Sequence, residues 1–286
     1  MTTTYVGDVF IPEVWSGRIL KNLNEAHVYA NCVNRDYVGE IKNFGDQVHI
    51  NNIGRVTLRT YTPNSDLTAA ETLTADQRTL IINQANAFNF QIDDIDHVQS
   101  KPKVMDEAMR EAAYTLAAAS DNYLAGILAA GTTNAIGSTV SPESPDEDTA
   151  YEYLVDLGVK LDESNIPGDG RFVVVPSWFH ALLLKDDRFV KYDKVGSAIT
   201  RGLVGEAAGL KIYKSNNVPN TEGAAYKIVA GHKMAATYAE QINKVVKYEM
   251  ERRFNSAVKG LHLFGAKLVR DEAVAVLTAD RPTIVS

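Results

Sequence analysis

FNFQIDDIDHVQSKPKVMDEAMREAAYTLAAASDNYLAGILAAG, residues 88–131, changes its hydrophobic period part-way along. Phe88, Phe90 and Ile92 alternate with Asn89, Gln91 and Asp93, the period of two that a half-buried strand shows. Beyond Ser100 and Pro102 the spacing shifts. Met105, Met109, Ala112, Leu116, Ala119, Tyr123 and Ile127 recur three or four apart, which places them on one face of a helix. Ala112, Ala113, Ala117, Ala118 and Ala119 favour that helix and permit close packing, and Gly131 ends it. A helix over 102–130 is about 40 Å long at ~1.5 Å per residue. That is longer than a usual globular helix and suits a structural spine.

Upstream, the period of two extends back to Gly45: Val48 and Ile50 alternate with Gln47 and His49, and Val56 and Leu58 with Thr57 and Arg59. Between these positions and Phe88 lies a polar span, Thr62 to Arg78, with almost nothing to bury. The stretch 45–98 reads as a long two-stranded excursion with its tip at 62–78. An isolated two-stranded ribbon is marginal in water, and structureless loops beyond about 12–15 residues are usually functional or disordered. The ribbon therefore calls for another body to lie on, most simply a second copy of the chain. Before it, Pro12 fits a first helical turn, and Trp15, Ile19, Leu23 and Ala26 form a helical stripe, so 1–44 reads as an arm and a short helix.

Downstream, Thr132 to Asp148 is rich in Gly, Ser, Thr, Pro and acid and marks the best domain boundary. Residues 99–149 then form one unit around the long helix, 150–225 a second α+β unit, and 226–286 closing strands. Tyr151, Leu154, Val155, Leu157 and Leu161 predict a helix, 167–170 a turn, and Arg171 to Val175 a buried strand. Ser177 reads as the N-cap of a helix through Lys185. Gly202, Gly205 and Gly209 suggest a flexible loop before a strand at 210–213, and 215–219 a turn. Strands follow near 226–230 and 244–250, with a last pair at 261–269 and 273–277. There is no internal repeat. The fold class is α+β.

Composition bounds the function. The 286 residues (31.3 kDa) are 45% hydrophobic and 23% charged, an ordinary globular balance that excludes a disordered chain, a collagen-like fibre and a coiled-coil rod. No run approaches the roughly 18–20 apolar residues of a membrane helix, and MTTTYVGDVF does not read as a signal peptide. One cysteine, Cys32, excludes an intrachain disulfide and a cysteine-built zinc cage, and fits synthesis in a reducing cytosol. The net charge is −7. Nine acids between Glu143 and Asp169 against the single base Lys160 give that segment −8, so the rest of the chain is nearly neutral. Arg252-Arg253 is flanked by Glu249 and Glu251, and no cluster of Lys and Arg offers the basic groove that phosphate neutralisation needs.

Candidate chemistry is sparse. Asp93, Asp94, Asp96 and His97 supply oxygen-rich ligands for a hard cation, but adjacent strand residues point to opposite faces, so the better reading is solvation of a strand end and negative charge before the helix. Gly126 to Thr133 superficially matches a phosphate loop, yet Thr132 stands where lysine is needed and the segment ends a helix. Gly202, Gly205 and Gly209 miss the dinucleotide spacing. Ser177 and His180 lack a nucleophile elbow. Cys32 has no sequence partner that would activate it, Trp15 reads as a packing anchor, and His27, His49, His232 and His262 read as ordinary core or surface residues. Catalytic, cofactor-binding and metal residues are accordingly expected to be none.

IPEVWSGRILKNLNEAHVYANCVNRDYVGEIKNFGDQVHINNIG (11–54) resembles the N-terminal region of tailed-bacteriophage major capsid proteins, with Asn34-Arg35-Asp36-Tyr37, Gly45-Asp46, Val48 and Ile50 matching in place. Residues 88–117 resemble that family's passage from loop strand to spine helix. VVPSWFHALLLKDDRF, GLKIYKSNNVP and VKGLHLFGAKLVRDEAVAVL (258–277) are similar to its axial domain and closing strands. The resemblance implies the Hong Kong 97-like fold: N-terminal arm, extension loop (an extended β-hairpin), peripheral domain with spine helix, and axial domain. It implies a non-catalytic protein without cofactor, whose hexamers and pentamers close an icosahedral shell around double-stranded DNA that it does not bind specifically. The near-immediate start at the arm implies a separate scaffolding protein, and a portal completes the expected partners. The expected location is the virion, after synthesis in the host cytoplasm. Some members cross-link subunits through a lysine and an asparagine, and no motif places such a pair here. An encapsulin-type nanocompartment shares the fold and is the alternative, and a metal-dependent enzyme at Asp93, Asp94, Asp96 and His97 the more distant one.

Overall fold

The computed structural model describes residues 26–38, 43–53, 63, 66, 75–93, 103–186, 203–249 and 255–282. The stripe expected at Trp15, Ile19 and Leu23, the residues Val56 and Leu58, and most of the span 54–74 lie outside the described residues.

The long helix is α2 (Lys103–Ala130). Its buried face comprises Met109, Ala113, Leu116, Ala117, Ser120, Asp121, Leu124, Ala125 and Leu128. That face is rotated from the expected one: Ala119 is exposed, and Ala112, Tyr123 and Ile127 are half-buried. Alanines at 112, 113, 117, 118 and 119 suit either side, and two polar residues, Ser120 and Asp121, belong to the inward stripe. Gly131 follows the helix, packed against the Leu268 side chain, with its N–H donating to Ile127 O at 3.2 Å.

Helix α2 packs on a three-stranded antiparallel sheet. Its order is β3 (Gln84–Asp93), β10 (Asn255–Leu268), β9 (Ala236–Glu249). Met109 and Ala113 meet Ile242, Val245 and Val258 there, with Phe88 and Phe90 packed alongside. So the 88–92 alternation is real, but its partner is β10, with Phe90 opposite Val258. The ribbon is instead β1 (Gln47–Ile53) with β2 (Ala75–Ile81), in register from Gln47↔Ile81 to Ile53↔Ala75. Its returning strand starts inside the expected tip, at 75–78, because backbone pairing makes those polar residues a strand. The base of the ribbon is anchored by Ile50, Leu80 and Ile82 against Ala239, Leu263 and Val269.

The second body is a six-stranded mixed sheet. Its order is β4 (Asn134–Ile136), β11 (Val274–Ala279), β8 (Tyr226–His232), β5 (Arg171–Val175), β7 (Leu210–Lys214), β6 (Leu203–Ala207). All of β5, RFVVV, is buried, as its unbroken apolar run implies. Helix α3 (Ala150–Glu163) lies against β8, β11 and α4 (Ser177–Lys185), and α2 also reaches β8.

Several local readings change. Strand β9 begins at Ala236, well before 244, because Ala236 to Glu240 is buried on both sides and shows no alternation. The strands 261–269 and 273–277 are not a pair; they enter different sheets across a 3₁₀ turn at Asp271–Ala273. Gly205 lies within β6, and the β6–β7 connection is a tight turn at Ala208 (φ 51°) and Gly209 (φ 72°), the left-handed pair that suits a two-residue hairpin. The stretch 132–148 is stitched to the sheet: β4 pairs parallel with β11, and Glu143 N–H donates to Thr278 O at 2.9 Å. Ser177 is the first residue of α4 and not its cap, and its Oγ donates to Asn216 Oδ1 at 2.7 Å.

Candidate functional site

Asp93 closes β3 opposite Asn255, and Asp94, Asp96 and His97 lie outside the described residues. Among the described residues, no group of three or more His, Cys, Asp or Glu is arranged to hold a metal ion. Gly126 to Ala130 is helical, as the end of α2. His180 is half-buried, and burial together with the nearby Lys214 charge lowers its pKa. His49 contacts Thr79 Oγ1 across the ribbon at 3.2 Å, and His232 Nε2 donates to Asp169 O at 2.7 Å. Cys32 is buried and its Sγ donates to Val28 O, while burial and Asp121 push its thiol far above the ordinary range. Such a thiol is an inert core group.

His27 and His262 are the exceptions to the ordinary reading. With Arg35, Asp121, Tyr238 and Glu240 they form a buried ionic knot joining four parts of the fold. His27 precedes α1 (Tyr29–Cys32), whose first backbone N–H groups need acceptors. Asp121, projecting from mid-α2, provides them: Oδ2 accepts from Val28 N (2.7 Å) and Tyr29 N (3.2 Å), and Oδ1 from Ala30 N (3.2 Å). The carboxylate of one helix thus caps another. His27 Nδ1 lies 3.1 Å from Asp121 Oδ1, and its Nε2 3.0 Å from Glu240 Oε2. Both ring nitrogens donate to carboxylates, which requires the imidazolium form. Burial alone would lower the His27 pKa, but the hydrogen bonds and charges of Asp121 and Glu240 override it and hold it at about 9.

Glu240, on β9, is the hub. Its Oε2 also accepts from Tyr238 OH (2.8 Å) and His262 Nε2 (3.2 Å), and its Oε1 accepts from Arg35. Burial opposes its charge, but His262, His27 and Arg35 hold its carboxyl far below the usual range. The packing closes with His262 stacked on Phe264 at 5.0 Å and the Arg35 guanidinium over the Tyr238 ring. Backbone bonds flank it: Asn34 N donates to Ala236 O, and Tyr238 N to Asn34 O. Sequence reading missed Asp121, Glu240 and Arg35. The available signal was a lone carboxylate inside an apolar run, AAASDNYLAG for Asp121 and ATYAEQI for Glu240.

The groups of the knot are bonded to one another, and His27, Asp121, Tyr238, Glu240 and His262 are buried. Exposed apolar groups lie elsewhere. Phe44 and Ile81 sit at the ribbon base and Tyr114 on the outer side of α2. An open cleft of about 540 Å³ runs between the ribbon base and the end of α2, lined by Arg78, Ile81, Tyr123, Ile127 and Lys267. Among the described residues, no helix is long and apolar enough to cross a membrane.

A long helix on a three-stranded sheet, a two-stranded ribbon and a second, mixed sheet make up the described α+β fold. The profile of the phage capsid protein family matches residues 77–277, and the chain belongs to that family. A structure from Mycobacterium phage Che8 is similar at 29% identity and TM-score 0.70, over 88% of this chain and 90% of that one. The capsid of the cyanophage P-SCSP1u shares the fold at 16% identity and TM-score 0.64, over 91% and 88%. A virus-like particle from Pyrococcus furiosus does so more distantly, at 14% identity and TM-score 0.55, over 93% and 98%. Among curated proteins no sequence matches.

Proposed function

We propose that this chain is the major capsid protein of a tailed phage with the Hong Kong 97-like fold, assembling as hexamers and pentamers into an icosahedral shell around double-stranded DNA. In this reading 1–44 is the arm, 45–98 the extension loop, 99–149 the peripheral domain with α2 as spine, 150–225 the axial domain, and 226–286 the closing strands. It is non-catalytic, requires no cofactor, and works with a separate scaffolding protein and a portal. It is made in the host cytoplasm and ends in the virion.

The observation that carries the reading is the ribbon. Strands β1 and β2 form a sheet of their own, anchored at the base by Ile50, Leu80 and Ile82, with Phe44 and Ile81 left exposed. A two-stranded sheet with little to bury gains stability from a second surface, which a neighbouring subunit provides. The net charge of −7 and the lack of clustered Lys and Arg in the sequence suit a wall that encloses DNA without gripping it.

Replacing 57–71 by a short Gly-Ser turn leaves β1 and β2 whole. The expected product folds, with unchanged circular dichroism, and gives no shells in electron micrographs with the scaffold present. Normal shells from that deletion would overturn the reading. The similarity to the Pyrococcus furiosus particle keeps an encapsulin-type compartment as the second reading. Nuclease-protected DNA inside particles supports the phage shell, and a protein cargo supports the compartment.

A further inference from the structure

We propose that the buried knot around His27 is a pH-operated clasp on the N-terminal segment, closed at neutral and acid pH and opened by alkali. The inference concerns the single chain and stands whatever that chain assembles into.

Residues 27–35 are tied to the body by two carboxylates on other elements, Asp121 and Glu240, by the backbone bonds of Asn34 with Ala236 and Tyr238, and by the burial of Tyr29, Ala30, Cys32 and Val33. His27 is the bridge between them, 0% exposed, with a ring nitrogen on each. The charges around it balance: Asp121 from α2 and Glu240 from β9 face His27 and Arg35 of the segment. Four further titratable groups face this region. Tyr29 and Cys32 come from α1, Tyr238 from β9 and His262 from β10.

Removing one proton from His27 has two consequences here. One ring nitrogen then turns a lone pair toward a carboxylate oxygen about 3 Å away. Two buried carboxylates are also left with Arg35 as the remaining cation of the bridge. Tyr238 and His262 already donate to Glu240, so neither is free to replace the lost proton there. The strain is relieved when 27–35 leaves the body and both carboxylates meet water. Acid works the other way, since His27 is already charged and Glu240 resists protonation.

The sole cysteine of the chain, Cys32, lies buried in the clasped segment and reports its opening. A methanethiosulfonate reagent would be applied to the full-length chain across the pH range, with each native labelling rate divided by the rate for the denatured chain at the same pH. The expected protection is constant below pH 6.5, falls about tenfold per pH unit toward pH 9, and levels beyond, as for an opening that releases one proton. Circular dichroism stays native across that range. His27→Gln keeps a hydrogen-bonding side chain without the charge, and its protection is expected to be lower and flat. Wild-type protection that is flat from pH 6.5 to 9, the same slope in H27Q, or loss of protection only together with the helix signal would overturn the clasp. If H27Q does not fold, the imidazole resonances of wild-type His27 decide: a cation at pH 8 supports the clasp, and a neutral ring at pH 7.5 defeats it.

Discussion

Asp121 holds more of the fold than any side chain of its size has reason to. It accepts from the backbone N–H groups of Val28, Tyr29 and Ala30 and from one nitrogen of a buried cation. Asp121→Ala leaves the backbone donors without a partner and the imidazolium with Glu240 alone, and breaking one side of a buried pair costs about 3–5 kcal/mol. Urea unfolding is expected to show a loss of that size, and a loss below about 1 kcal/mol would mean that the knot is not buried as described. The His27 proton sets the pH dependence. Its pKa is raised from 6.5 to about 9, so its stabilisation is complete below 6.5 and is lost as pH rises through 9, on the order of 3 kcal/mol. For Glu240 the sign is opposite: its folded value is depressed, so its contribution is present above 4.5 and lost only in strong acid. A melting temperature that drops between pH 7 and 9 but holds at pH 5 is the expected profile. Gly265 makes a steric argument at the same scale. A Cβ there would sit 2.4 Å from Ile81 O, a backbone atom that cannot swing aside. Gly265→Ala is expected to cost about 1–3 kcal/mol by forcing β10 off the end of the ribbon, and an unchanged denaturation midpoint would contradict that contact.

Among elements, α2 carries the architecture because one helix serves two sheets. It packs on β10 through Met109 and Ala113, and Leu124 and Leu128 enter the larger core with β8. Ala112→Pro removes the bond to the carbonyl one turn back and clashes with that turn, at about 3 kcal/mol or more. Calorimetry should show a melting drop of many degrees, and an unaltered transition would rule out a continuous helix at that point. Elements with a strong local signal were legible: α2, α3 and β3 follow from spacing, and the RFVVV strand from its unbroken apolar run. Elements built otherwise were not. Strand β2 is polar and exists by pairing with β1, and the start of β9 is buried on both sides and has no alternation to read. The rotation of α2 escaped for a third reason, since a face that buries Ser120 and Asp121 is invisible to a hydrophobicity stripe.

At the scale of the molecule, the ribbon forms a sheet of its own with Phe44 and Ile81 exposed at its base, and the proposed shell rests on a neighbouring subunit covering it. The loop deletion over 57–71 is the test at this scale, with folding retained and shells lost. The order of elements and the α+β class were set by hydrophobic period and by the turn residues between segments, because both act over a few positions and leave their mark locally. Motif order along the chain likewise pointed to the capsid family before any coordinate did. Strand partners, the pairing of 88–92 with β10, and the charge state of His27 were decided only by the tertiary structure. The contacts of His27 with Asp121 and Glu240 join residues 94 and 213 positions apart. An ionisation energy depends on burial and on which charges surround the group, so a histidine that looks ordinary in sequence becomes a buried cation only once the fold has closed around it.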